Sequence, residues 1–139
     1  MSVQPTTRVY GFGITTACAY SVALARVRGA LKEQGFGLLT EVDVRQTMHD
    51  KLGVDFRPYV ILGACNPPLA HRALSADVGV GLLLPCNVVV YDNGDGTSTI
   101  EVMDPEAALG PVGSNPELAA VAREAKSRLQ QALDAVDSA

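Results

Sequence analysis

The sequence predicts an α+β fold in which a mixed β-sheet is covered by helices, in the order β-α-β-α-β-α-β-β-α. Three observations lead there. β-Prone apolar runs alternate with amphipathic stretches along most of the chain. Leu82–Asp92 and Thr97–Met103 flank the turn cluster Asp92-Asn93-Gly94-Asp95-Gly96, which predicts a β-hairpin. Near the end, Leu118, Val121, Ala122, Ala125, Leu129, Ala132, Leu133 and Val136 fall on one helical stripe, the clearest periodic signal in the chain.

In chain order, residues 1–7 are polar and are expected to form a flexible N-terminus; residues 8–139 are expected to form a single α+β domain. Arg8–Thr16 is β-prone through Val9, Tyr10, Phe12 and Ile14, with Gly11 and Gly13 weakening it. Ser21 is placed to cap a helix reaching about Gln34, on which Ala23, Val27, Ala30 and Leu31 make an apolar stripe. Gly35 sits where a left-handed residue ends a helix, and Phe36–Val42 reads as the next strand. Asp43 caps a short helix from Val44 to Leu52, closed by Gly53. Tyr59–Cys65 has little polar alternation, which predicts a strand covered on both faces. Asn66 and Pro67 are a helix start, a capping side chain followed by proline in the first turn. After the hairpin, Asp104–Asn115 is loop-like, and Ser114 with Glu117 has capping-box spacing ahead of the final helix.

Composition excludes several classes. The chain has 139 residues, of which 47% are hydrophobic and 19% charged, the balance of a globular domain and not of a disordered chain. A net charge of −4 argues against nucleic acid and against polybasic membrane docking, both of which need a basic face. Met1–Arg8 lacks a basic segment followed by an apolar one, and no apolar run approaches bilayer length. A cytoplasmic location is therefore expected, where Cys18, Cys65 and Cys86 would remain thiols.

The strongest local signal is Leu62-Gly63-Ala64-Cys65-Asn66-Pro67. A cysteine here ends a buried strand and is followed at once by a helix start, where unpaired N–H groups and the helix dipole favour a thiolate. The alternative is a small buried packing residue. Pro85 and Cys86 lie at the mouth of the later strand, and the two cysteines meet if their strands are neighbours. Paired thiols can bind a metal or cycle through a disulfide, although no CxxC spacing supports a metal. Glu41 interrupts an apolar strand; facing inward it would need a partner, and facing outward it is an ordinary surface residue. Cys18 lies in a loop, and His49 and His71 sit on separate helices. The Gly11-Phe12-Gly13 and Gly79-Val80-Gly81 segments lack the third glycine of a dinucleotide fingerprint. The Asp92–Gly96 cluster lacks both end ligands of a calcium loop. No motif names a cofactor.

The segment Glu33-Gln34-Gly35-Phe36-Gly37-Leu38-Leu39-Thr40-Glu41-Val42-Asp43 resembles a signature of the domain-of-unknown-function 302 family. The likeness continues through Lys51-Leu52-Gly53-Val54, Pro58–Pro67 and Gly81–Tyr91, and covers about residues 8–136. The resemblance implies a small α+β domain, commonly a homodimer, with no settled biochemical role. Glu41, Cys65, Asn66, Pro67, Pro85 and Cys86 fall on the family's motif positions, and Asn87 stands where relatives often carry a base. Three readings follow. The first is small-ligand binding or thiol chemistry at a Cys65, Cys86, Glu41 and Asn66 site. The second is a non-enzymatic homodimeric interaction module. The third is a thiolate metal site built on Cys65 and Cys86.

Overall fold

The computed structural model describes residues 3–112 and 114–138. Its elements are β1 (Gln4–Arg8), β2 (Gly11–Thr16), α1 (Tyr20–Glu33), β3 (Gly37–Asp43), α2 (Val44–Leu52), β4 (Tyr59–Cys65), α3 (Pro67–Ala76), a 3-10 turn (Val78–Leu83), β5 (Cys86–Asp92), β6 (Ser98–Met103), α4 (Pro105–Ala108), a second 3-10 turn (Gly110–Val112) and α5 (Pro116–Ser138). The α+β class and the element order agree with expectation. The strands form one six-stranded sheet in the order β1-β2-β6-β5-β4-β3.

Where a mixed sheet was expected, every pairing is antiparallel. The reason lies in the connections. β2 and β3 run the same way and are joined by α1, but β6, β5 and β4 lie between them. The chain instead leaves β3 through α2 and β4 through α3, and each time returns as the antiparallel neighbour of the strand it left. These helices are excursions at the sheet's ends and not crossovers between parallel neighbours.

Alternation sends one side of each strand toward α1 and α5. Ile14, Ile100, Val90 and Val60 sit opposite one another across four strands, and all are buried. Val27 and Leu31 of α1 and Leu129, Leu133 and Val136 of α5 close over them. Each large side chain so buried contributes roughly 1.5–3 kcal/mol relative to exposure. A second apolar cluster joins α3 and the first 3-10 turn to α5 through Leu69, Ala73, Val80, Leu118, Val121 and Ala122.

Local signals explain most boundaries. Asp43 accepts a hydrogen bond from the Gln46 N–H and starts α2, as expected. Gly35 ends α1 at φ 83°, a left-handed conformation that a side chain would strain. Other expectations are corrected. Residues 4–7 lie in edge strand β1, paired along β2, while residues 1 and 2 of the expected flexible N-terminus lie outside the described residues. Helix α1 begins at Tyr20 with no side-chain cap, so Ser21 does not serve as one. Helix α5 is capped by Asn115, which accepts from the Glu117 and Leu118 N–H groups, in place of Ser114. The strand expected from Leu82 starts only at Cys86, because Gly79 and Gly81 permit a 3-10 turn and Pro85 cannot donate to a ladder.

Candidate functional site

Antiparallel pairing of β4 with β5 sets Ala64 opposite Cys86, so the strand that ends in Cys65 and the strand that begins with Cys86 meet at one end of the sheet. Both cysteines line one cavity of about 290 Å³. The cavity lies where the two apolar clusters abut, between the sheet end, α3, α4 and α5. Its volume follows from small side chains on the converging elements: Ala64 on β4, Ala70 and Ala73 on α3, Ala122 and Ala125 on α5. Alanine stripes suffice to hold the helices against the sheet, yet they do not fill the space between them. Leucines on α3 and the 3-10 turn, with Phe36, supply the remaining apolar wall.

Asn66 is the one lining residue with a polar side chain other than the thiols, and it is buried. Its Oδ1 accepts from the Leu69 N–H at 3.3 Å and its Nδ2 donates to the Gln34 carbonyl at 3.4 Å. The amide therefore ties the start of α3 to the end of α1. Asn66→Ala is expected to lower stability by about 1–2 kcal/mol through the lost cap, read as a lower urea midpoint with an unchanged slope. A midpoint unchanged by the substitution would show that the cap contributes nothing.

The first turn of α3 does not offer the donors expected for a thiolate. Pro67 and Pro68 have no N–H, the Leu69 N–H is taken by Asn66, and the Ala70 N–H bonds the Asn66 carbonyl. Cys65 is half-buried and Cys86 is buried. Burial, and next the neighbouring Cys65, push the Cys86 thiol up to about 11. A raised thiol pKa leaves folding stability intact below the ordinary value of 9.0 and removes it progressively as pH rises toward about 11. Iodoacetamide at pH 7.5 is accordingly expected to label Cys65 well before Cys86 in the native protein, as followed by peptide mass spectrometry. Equal labelling rates would contradict the burial assigned to Cys86.

Glu41 does not join the cysteines. The β3–β4 register sets it opposite Leu62, while Gly37 faces Cys65, and an irregularity between Leu38 and Thr40 turns Leu39 toward the cavity instead. The Glu41 carboxylate forms an ion pair with Arg28 of α1, with both side chains substantially exposed. Such surface pairs contribute about 0–1 kcal/mol. Cys18 is buried elsewhere, accepting from Arg26 at 3.1 Å. His49 and His71 are exposed. Among the described residues, no group of three or more His, Cys, Asp or Glu side chains is placed to hold a metal ion.

Sequence reasoning missed a second polar constellation, on the sheet face opposite α1 and α5. Glu101 of β6 is buried there, and its carboxylate accepts from Arg8 Nε at 2.6 Å, Arg8 Nη2 at 3.2 Å, the Tyr91 hydroxyl at 2.6 Å and Thr6 Oγ1 at 3.4 Å. Burial pushes the Glu101 carboxyl up, but the hydrogen bonds from Arg8 and Tyr91 outweigh it, and the net shift is downward. The available signal was parity: Thr99, Glu101 and Met103 share one side of a β-prone run, and Gly11 and Gly13 leave the neighbouring strand without side chains opposite Met103 and Glu101.

The fold and cavity thus define a class: a small α+β protein whose antiparallel sheet carries helices on one face and a cysteine-lined apolar cavity at one end. The chain belongs to the family described as Domain of unknown function DUF302, whose model matches residues 12–136. It is similar to the crystal structure of an uncharacterized conserved DUF302 protein from Bacillus stearothermophilus, with 32% sequence identity and a TM-score of 0.82, covering 92% of this chain and 98% of that one. No curated protein matches the chain. No helix among the described residues is long and apolar enough to cross a membrane.

Proposed function

We propose that the protein binds a small apolar molecule in the 290 Å³ cavity, with Cys65 as the half-exposed thiol in its wall. The observation that carries this reading is the character of the lining: apolar side chains throughout, two thiols, and one amide already committed to the scaffold. Such a wall selects by shape and apolar contact, not by ion pairing. An apolar cavity of roughly 150 Å³ can take up benzene, so this space suits a molecule of one or two rings or a short acyl chain. Cys86, held protonated, supports packing and not nucleophilic chemistry.

The test uses 6-propionyl-2-(dimethylamino)naphthalene, a neutral two-ring probe whose fluorescence rises and shifts to the blue in apolar surroundings. Saturable binding is expected, with affinity falling about tenfold or more in Ala73→Leu and Ala122→Leu, since each places three further carbons in the space a ligand would fill. Filling should leave the thermal midpoint level or raised, which separates occlusion from unfolding. Undiminished binding in both variants would refute the reading.

A further inference from the structure

The uncovered face of the sheet holds a second cavity, of about 740 Å³, unrelated to the cysteines. It opens around the Arg8–Glu101 pair, between Tyr10 and the rings of Tyr59 and Tyr91. We propose that this cavity binds a planar aromatic carboxylate, its ring on the tyrosines and its carboxylate on Arg8.

The polar floor is built by the middle strand's lack of side chains. On this face β2 presents only Gly11 and Gly13 in register with Met103 and Glu101 of β6. Arg8 of edge strand β1 therefore reaches across β2 to Glu101, a contact that any larger residue on β2 would obstruct. Glu101 is the sole carboxylate among the lining residues, and its two oxygens already accept from Arg8, Tyr91 and Thr6. It does not call for a cationic ligand; it orients Arg8. The Arg8 side chain is 48% exposed, and a guanidinium has five N–H donors in a rigid fork, more than Glu101 engages. A cation held in one orientation, with donors left over and open to the cavity, is the recognition element for an anion of planar geometry.

The rest of the wall specifies the anion's body. Tyr59 and Tyr91 lie stacked, with centroids 5.2 Å apart and an interplanar angle of 7°, and Phe56 continues the aromatic surface at 6.1 Å from Tyr59. Val89 and Met103 supply apolar surface beside them. A second cation, Arg57, lies 5.9 Å over the Tyr91 ring, so the positive potential at this shelf does not depend on Arg8 alone. A flat ring against the tyrosines with a carboxylate toward Arg8 satisfies each feature, and the volume lies within the usual range for small-molecule sites, about 300–1,000 Å³.

The experiment titrates the full chain with 2-naphthoate, its uncharged isostere 2-naphthamide as control, following amide chemical shifts. Saturable 2-naphthoate binding is expected, with shifts centred on Tyr59, Val89 and Tyr91. The amide should bind about tenfold or more weakly, the worth of one hydrogen bond between charged groups. Arg8→Gln should lose the preference for the carboxylate while keeping what the ring contributes. Should Arg8→Gln fail to fold, Arg8→Lys keeps a charge opposite Glu101 without the planar fork, and a reduced preference is still expected. Ala122→Leu, at the other cavity, should change nothing, which separates this site from the first. The proposal is overturned by equal affinity for acid and amide, by a preference that survives Arg8→Lys undiminished, by shifts centred on the cysteine-lined cavity, or by no binding at millimolar 2-naphthoate. It is also overturned if the face proves covered by a second copy, seen as a dimer that Tyr10→Arg dissociates.

Discussion

Gly13→Ala is expected to destabilise the protein by about 3 kcal/mol or more, beyond the usual range for a surface-strand substitution. A Cβ at this position would overlap the Ile100 carbonyl oxygen and stand 2.7 Å from the Glu101 Cα. Both are backbone atoms, so no side chain can rotate to make room. β2 is also paired on both edges, to β1 and to β6, and cannot move away from one without opening the other. The strain would be relieved only by parting the β2–β6 ladder beside the Thr15–Thr99 hydroxyl contact of 2.9 Å. Gly29 provides the control: it is exposed within α1, and a Cβ there meets nothing within 4 Å. Gly29→Ala should stabilise by about 0.5–1 kcal/mol through helix propensity. Urea unfolding of the two variants therefore moves in opposite directions. If Gly13→Ala unfolds at the wild-type midpoint, β2 and β6 are not held as closely as described.

Leu129→Ala is expected to cost about 2–5 kcal/mol. Leu129 is fully buried on α5, against the apolar side of the sheet, and belongs to the larger of the two clusters. Truncation removes its apolar contacts and leaves a void that the sheet, crossed by antiparallel ladders, cannot collapse to fill. The companion is Leu82→Ala. Leu82 is 93% exposed, and its truncation should lie within about 0.5 kcal/mol of wild type. Calorimetry reads both, and a small loss for Leu129→Ala would place α5 farther from the sheet than its burial indicates.

Much of the fold was legible in the residues because the governing forces act locally. The apolar stripe of α5, the Asp43 cap, the Asn66-Pro67 helix start and the glycine turn between β5 and β6 each follow from interactions a few residues apart. Ser21 and Ser114 misled for the same reason: both have capping chemistry, but Ala19 and Asn115 hold the capping positions. Strand pairing was less legible, because alternation shows which side of a strand is buried but not which strand lies beside it.

The candidate site divides along that line. Cys65 and Cys86 could be matched because each sits at a strand end marked by proline or asparagine, and the antiparallel neighbour relation brings those ends together. Glu41 could not be placed, because a single irregularity between Leu38 and Thr40 decides what faces the cavity. Arg8 and Glu101 lie far apart in the chain, and the two glycines that let them meet read as weaknesses in a strand.

The residues by themselves determined the class, the succession of elements, the caps with matching local chemistry and the family, since each depends on short-range propensity or on linked motifs in order. Tertiary structure alone decided the strand order, the space left between alanine-bearing helices and the ion pair across β2. These depend on which distant backbones approach and how closely, and packing of the whole chain sets that distance.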